Sequence, residues 1–186
     1  MATIALTTKA GHRVEVPKEF AEQHFGCIKD VAKLVNEADK TDAAPAVEET
    51  QLDNLDMADA ALDALVAFIA LPEKSRTVNI PKPLRDPLKN IVADDVYKWL
   101  TGSETKKVHV DVLNLAVYLK YDEMSCAAAA YVAERLDEVA KQAPDIMTGA
   151  EHIRNYLNLK NEWSEEEMKH LAKEMAYAKE VNSSAY

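Results

Sequence analysis

Along the first sixteen residues apolar and polar side chains alternate. Ile4, Leu6, Val14 and Val16 fall on one face of two extended segments, which predicts strands over Thr3–Thr8 and His12–Val16 joined by a turn at Lys9-Ala10-Gly11. Pro17, whose fixed φ suits a first helical turn, opens a short helix through Phe20. From Cys27 the period becomes helical, with Ile28, Val31, Val35 and Ala38 on one side. The pattern then stops: residues 36–50 are polar, mostly acidic and contain Pro45, so a surface loop with no buried face is expected there. Thr50-Gln-Leu52 fits a short third strand. Asp56 or Asp59 is positioned to cap the next helix, whose buried stripe is Leu62, Leu65, Val66 and Ile69.

Residues 71–89 interrupt the periodicity with Pro72, Pro81, Pro83 and Pro87 and read as a connector. From Ile91 onward the pattern is helical. Val112, Leu115, Ala116 and Leu119 form one stripe, and Ala128, Tyr131, Val132, Leu136 and Val139 the next; Ala127 to Ala130 leave a surface with little bulk, which permits close helix packing. A shorter helix after Pro144 carries Ile153, Tyr156 and Leu157. Ser164-Glu-Glu-Glu167 has the spacing of a capping box, and the helix behind it turns Met168, Leu171, Ala172, Met175 and Ala178 to one side. A small sheet with helices, followed by helices alone, is an α+β arrangement.

At 186 residues and 48% hydrophobic, the chain is long enough for one domain plus a helical extension. Its net charge of −10 opposes any polyanion, which argues against a general nucleic-acid or anionic-membrane binder. The connector departs from that balance: Lys74, Arg76, Lys82, Arg85 and Lys89 against Glu73 and Asp86 give +3. Without interleaved aromatics it reads as a solvated loop rather than a nucleic-acid patch. Four scattered glycines exclude phosphate-cradling loops, which need clustered residues without a Cβ. Two cysteines make neither a disulfide framework nor a cysteine zinc site, and the opening residues lack a basic segment leading into an apolar run. No apolar stretch reaches the roughly 20 residues of a membrane span. A reduced cytoplasmic or nuclear setting is expected.

No constellation of catalytic residues emerges. The five histidines include no pair three or four apart and read as surface residues rather than metal ligands. Asp53, Asp56, Asp59 and Asp63 lack the spacing and glycine of a calcium loop, so capping and a solvated face account for them. Cys27 and Cys126 lie in apolar helical contexts and read as small buried hydrophobes. No cofactor, metal or catalytic residue is therefore expected. What remains is an excess of large side chains near the end of the chain: Ile153, Tyr156, Leu157, Leu159, Trp163, Leu171, Met175 and Tyr177. They either complete a core or face a partner.

Asn158-Leu-Lys-Asn-Glu-Trp-Ser-Glu-Glu-Glu167, preceded by Glu151-His-Ile-Arg154, resembles the C-terminal signature of the Skp-type adaptors of SCF (Skp–cullin–F-box) ubiquitin ligases, which reads E-E-I-R … F-N-I-K-N-D-F-T-E-E-E. Ala116-Val-Tyr-Leu119 followed by Val132-Ala133 resembles the family's A-N-Y-L … V-A helix pair, and the opening hairpin resembles its first two strands. The resemblance implies a BTB/POZ fold over residues 1–136 and a C-terminal F-box-binding extension over 137–186. By residue match, Ile153, Arg154, Leu157, Asn158, Leu159, Lys160, Asn161 and Trp163 fall in the F-box-binding stretch, and Tyr177 lies where the family has its last tryptophan; with the neighbouring Tyr156, Leu171 and Met175 they would bind an F-box, while Tyr118, which matches the family's tyrosine, and Val117 beside it would face a cullin. The chain departs from the pattern at Asp95-Val-Tyr-Lys-Trp99, where the family has W-D-x-x-F, and at Val117, where it has asparagine. Its connector is basic where the family's is acidic. The implied function is a non-catalytic adaptor that links F-box proteins to a cullin. The alternatives are a structural subunit of a non-ligase assembly and a POZ homodimer.

Overall fold

The computed structural model describes residues 2–30, 51–160 and 162–181, without the side chains of 51–54 and 179. The expected acidic loop at 36–50 and the helical positions Val31, Val35 and Ala38 lie outside these residues. The fold is α+β. Strand β1 (Thr3–Thr8) is central in a three-stranded sheet of order β2-β1-β3. It pairs antiparallel with β2 (Arg13–Pro17), with Ile4 opposite Val16 and Leu6 opposite Val14, and parallel with β3 (Gln51–Leu55). Gly11 closes the hairpin at φ 89°, a conformation costly for any side chain with a Cβ, and its N–H donates to the Thr8 carbonyl at 3.0 Å.

Alternation holds for β2, where Val16 is buried between exposed Glu15 and Pro17. It fails for β1, where Ile4, Ala5 and Leu6 are all buried: Ala5 is small and sits on the central strand between its paired residues Glu15 and Gln51. Pro17 ends β2 instead of opening a helix that stops at Phe20; helix α1 runs Lys18–His24. Residues 26–30 are also helical.

Helix α2 (Asp59–Ile69) packs against β2, α4 (Asp94–Thr105) and α5 (His109–Leu119). Its buried residues include Leu62, Leu65 and Phe68, whereas Val66, expected in the stripe, is exposed. The neighbours on two sides shift the buried arc by one helical position. Neither Asp56 nor Asp59 caps this helix: Ala58 occupies the N-cap, Asp59 accepts the Thr8 hydroxyl at 2.6 Å, and Asp56 pairs with Lys9 at 2.7 Å. The connector is more structured than a solvated loop. It contains the short helix α3 (Glu73–Arg76) and a 3-10 turn at Leu88–Asn90 whose Leu88 is fully buried. Arg76 ties it to the core: Nη1 donates to the Tyr121 hydroxyl at 2.7 Å, Nε to the Leu71 carbonyl at 3.1 Å, and the guanidinium lies over the Phe20 ring.

Helix α6 (Asp122–Lys141) buries Met124, Ala127, Ala128, Tyr131 and Val132. Within it falls the division of the chain into two compact units, Met1–Val132 and Ala133–Tyr186. The second unit contains α7 (Ile146–Tyr156) and α8 (Glu165–Val181). Asp145 caps α7, its carboxylate accepting the Thr148 N–H at 2.9 Å and the Thr148 hydroxyl at 2.8 Å. The capping box of α8 forms as its spacing predicts: the Ser164 N–H donates to Glu167 Oε2 at 2.8 Å and the Glu167 N–H to Ser164 Oγ at 3.3 Å. The Ser164 N–H and the Ser164 hydroxyl, which donates to the same Oε2 at 2.7 Å, hold the Glu167 carboxyl below its ordinary pKa.

Two expectations about single side chains are corrected. His109 is buried, not a surface residue, because as the first residue of α5 it lies among Leu100, Ser103, Val112, Ala128 and Tyr131. Cys27 and Cys126 are only partly buried. Burial still pushes the Cys27 thiol up, which keeps it protonated and unreactive at neutral pH.

Candidate functional site

The two surfaces expected to meet partners lie in different units. In the second unit Gly149 is the one buried residue among those described. Ile153, Arg154, Tyr156 and Leu157 on α7 and Leu171 and Met175 on α8 are half-buried, while Asn158, Leu159, Lys160, Trp163 and Tyr177 are exposed. Asn161 lies outside the described residues. Leu159 is 56% exposed, Trp163 50% and Tyr177 68%. Helices α7 and α8 make no extensive backbone-level contact with each other. Large apolar groups on the described part of this unit therefore line a surface rather than fill a core.

The chain conformation after α7 sets how that surface is presented. Asn158 has φ 56°. Its N–H donates to the Asn155 carbonyl at 3.2 Å, and the N–H of Leu159 donates to the Arg154 carbonyl at 2.9 Å, which together make a Schellman stop. Asparagine tolerates the left-handed region better than most residues, so its place here has a backbone reason. Downstream, the capping box fixes where α8 begins, with Trp163 immediately before it.

In the first unit, Val117 and Tyr118 stand on the outer face of α5, 61% and 50% exposed. Beside them an open groove of about 530 Å³ is lined by His24, Gly26, Lys29, Asp30, Val117, Lys120, Asp122 and Ser125. Lys120 donates to Asp30 at 2.6 Å across it, and this bond holds the ammonium above its ordinary pKa. The family-like stretch from Asp95 to Trp99 lies elsewhere and holds the fold together. Asp95 accepts the Ser75 hydroxyl at 2.8 Å, and the Trp99 indole donates to the Ala64 carbonyl at 2.8 Å while packing on Phe68.

These arrangements are suited to non-covalent contact. Among the described residues no group of three or more His, Cys, Asp or Glu could hold a metal ion, and no helix is long and apolar enough to cross a membrane. The pattern of single residues did not reveal the backbone devices at Asn158 and Asp145. The Asp145-x-x-Thr148 spacing was the available signal for the second. No protein-family model matches the chain, and no curated protein matches it.

Proposed function

We propose that the chain is a divergent Skp-type adaptor with a BTB/POZ-like first unit, whose C-terminal helices bind F-box proteins. The reading rests on one observation: Leu159, Trp163 and Tyr177, within or next to the stretch that resembles the family's clasp, are exposed in a unit with almost no buried residue among those described. Large apolar groups left in water favour any partner that covers them, at roughly 25 cal/mol per Å² of apolar surface buried. The helix–loop–helix geometry offers α7 and α8 as two supports for a helical partner segment. The role is bridging rather than catalysis. Val117 and Tyr118 supply the corresponding exposed apolar pair for a cullin on the first unit.

The test uses the purified full-length chain, an F-box segment and a cullin N-terminal domain. Leu159→Ala together with Trp163→Ala is expected to weaken F-box capture at least about tenfold, with thermal unfolding of the first unit unchanged. Unchanged capture by this double variant overturns the reading. A second reading, the same clasp in a non-ligase assembly, draws on Val117 standing where the family has asparagine. It predicts F-box capture without cullin binding. A homodimer through the same apolar surface predicts a concentration-dependent mass in sedimentation that F-box addition dissolves.

A further inference from the structure

We propose that Lys120 is a positioning residue for the cullin-facing surface of the first unit: it fixes residues 26–30 against the C-terminal end of α5, beside Val117 and Tyr118. The proposal rests on the reading of those two residues as the cullin-facing pair. Lys120 itself is given no contact with the partner.

A lysine is a costly choice for the left-handed stop of α5. Lys120 has φ 52° and ψ 46°, a conformation that glycine or asparagine adopts more readily. Its side chain is put to use there. The ammonium donates to Asp30 at 2.6 Å, a residue 90 positions away in the chain. Its carbonyl accepts the Gly26 N–H at 3.2 Å, and the backbones come so close that a Cβ on Gly26 would lie 2.7 Å from Lys120 Cβ. Gly26 and Asp30 are four residues apart in a helical segment and so share a face. One residue therefore grips both ends of that turn, Gly26 by its main chain and Asp30 by its side chain.

Folding energy does not account for the ammonium–carboxylate bond. The two side chains are 62% and 47% exposed, and pairs so open to water add little to stability. Orientation does account for it. Among residues 26–30 only Ile28 is buried, and a single anchor leaves a short turn free to rotate about it. The contacts at Gly26 and Asp30 remove that freedom. The turn supplies Gly26, Lys29 and Asp30 to the groove of about 530 Å³, and α5 with the start of α6 supplies Val117, Lys120 and Ser125. A partner that covers exposed Val117 borders this groove and meets Lys29 and Asp30 where Lys120 has placed them, without having to order them on binding.

The experiment measures the affinity of the full chain for a cullin N-terminal domain. Lys120→Asn, which suits the left-handed region and removes the ammonium, is expected to weaken binding at least about threefold. Asp30→Asn is expected to weaken it too, although the two changes move the net charge in opposite directions. The double variant is expected to bind as each single variant does, because both remove the same contact. Lys120→Arg, which keeps a cation for Asp30, is expected to bind as the unaltered chain does. Circular dichroism checks that each variant folds. Additive losses in the double variant, opposite effects of the two single variants, or unchanged binding by Lys120→Asn beside weakened binding by Tyr118→Ala each overturn the proposal alone. No binding by the unaltered chain overturns the reading of Val117 and Tyr118, and the proposal with it.

Discussion

Among the described residues, three other than glycine adopt the left-handed region, and each ends a helix: Lys107, Lys120 and Asn158. At Lys107 the pattern is complete, with its own N–H donating to Glu104 at 2.8 Å and that of Val108 to Ser103 at 3.0 Å. The lysine Cβ is disfavoured in this conformation by roughly 1 kcal/mol, and its ammonium forms no ion pair among the described residues to offset that. Lys107→Gly is therefore expected to raise stability by about 0.5–1 kcal/mol, read as a higher urea midpoint with an unchanged slope. Gly26 presents the opposite case. A Cβ there would lie 2.7 Å from Lys120 Cβ, with both atoms close to backbone and unable to swing away. Gly26→Ala is expected to destabilise by about 1–3 kcal/mol, and the same urea titration checks it.

At the scale of elements, ends matter more than interiors. Helices α7 and α8 bury little, so tertiary packing does not define their limits among the described residues; Asp145, the Schellman stop at Asn158 and the Ser164–Glu167 box do. The direction in which Leu159 leaves α7 depends on Asn158 staying left-handed. Asn158→Val, β-branched and poorly suited to positive φ, is expected to weaken F-box capture several-fold, whereas Asn158→Gly is expected to preserve it. A loss with Val and retention with Gly ties the effect to backbone shape; equal losses would assign it to the amide side chain. Elements of the first unit obey the other rule. Neighbours on two sides make Phe68 rather than Val66 the buried residue of α2, and Ala5, small and set between Glu15 and Gln51 on the central strand, is buried in β1.

At the scale of the molecule, the first unit is organised around Tyr121. Its ring meets Phe20, Phe25, Phe68 and His24 at centroid distances of 5.5–5.9 Å, and its hydroxyl accepts from Arg76. Sheet-side helix α1, the α2 helix, the connector and the start of α6 thus converge on one phenol. Burial pushes its pKa up to about 12, only partly offset by the Arg76 bond and charge. The folded state therefore holds the phenol's proton at pH values where the unfolded chain, at about 10, releases it. This stabilisation is complete below pH ~10 and is lost as pH rises towards 12, on the order of 2–3 kcal/mol in all. Denaturant unfolding at pH 9 and at pH 11.5 should show that loss, and Tyr121→Phe should flatten it while lowering stability at pH 9.

Local features were legible in the chain alone. The hairpin, the helical stripes of α5 and α6, the capping box and the α+β order follow from side-chain period and from hydrogen bonds between near neighbours. The large apolar residues near the C-terminus were equally legible, but whether they fill a core or line a surface was not. Only the tertiary structure left Leu159, Trp163 and Tyr177 exposed, buried His109, turned Asp59 from a cap into the partner of Thr8, and made the connector's Leu88 and Arg76 structural. Each of these depends on a neighbour far away in the chain, and periodicity records which side of an element is apolar without recording what comes to lie against it.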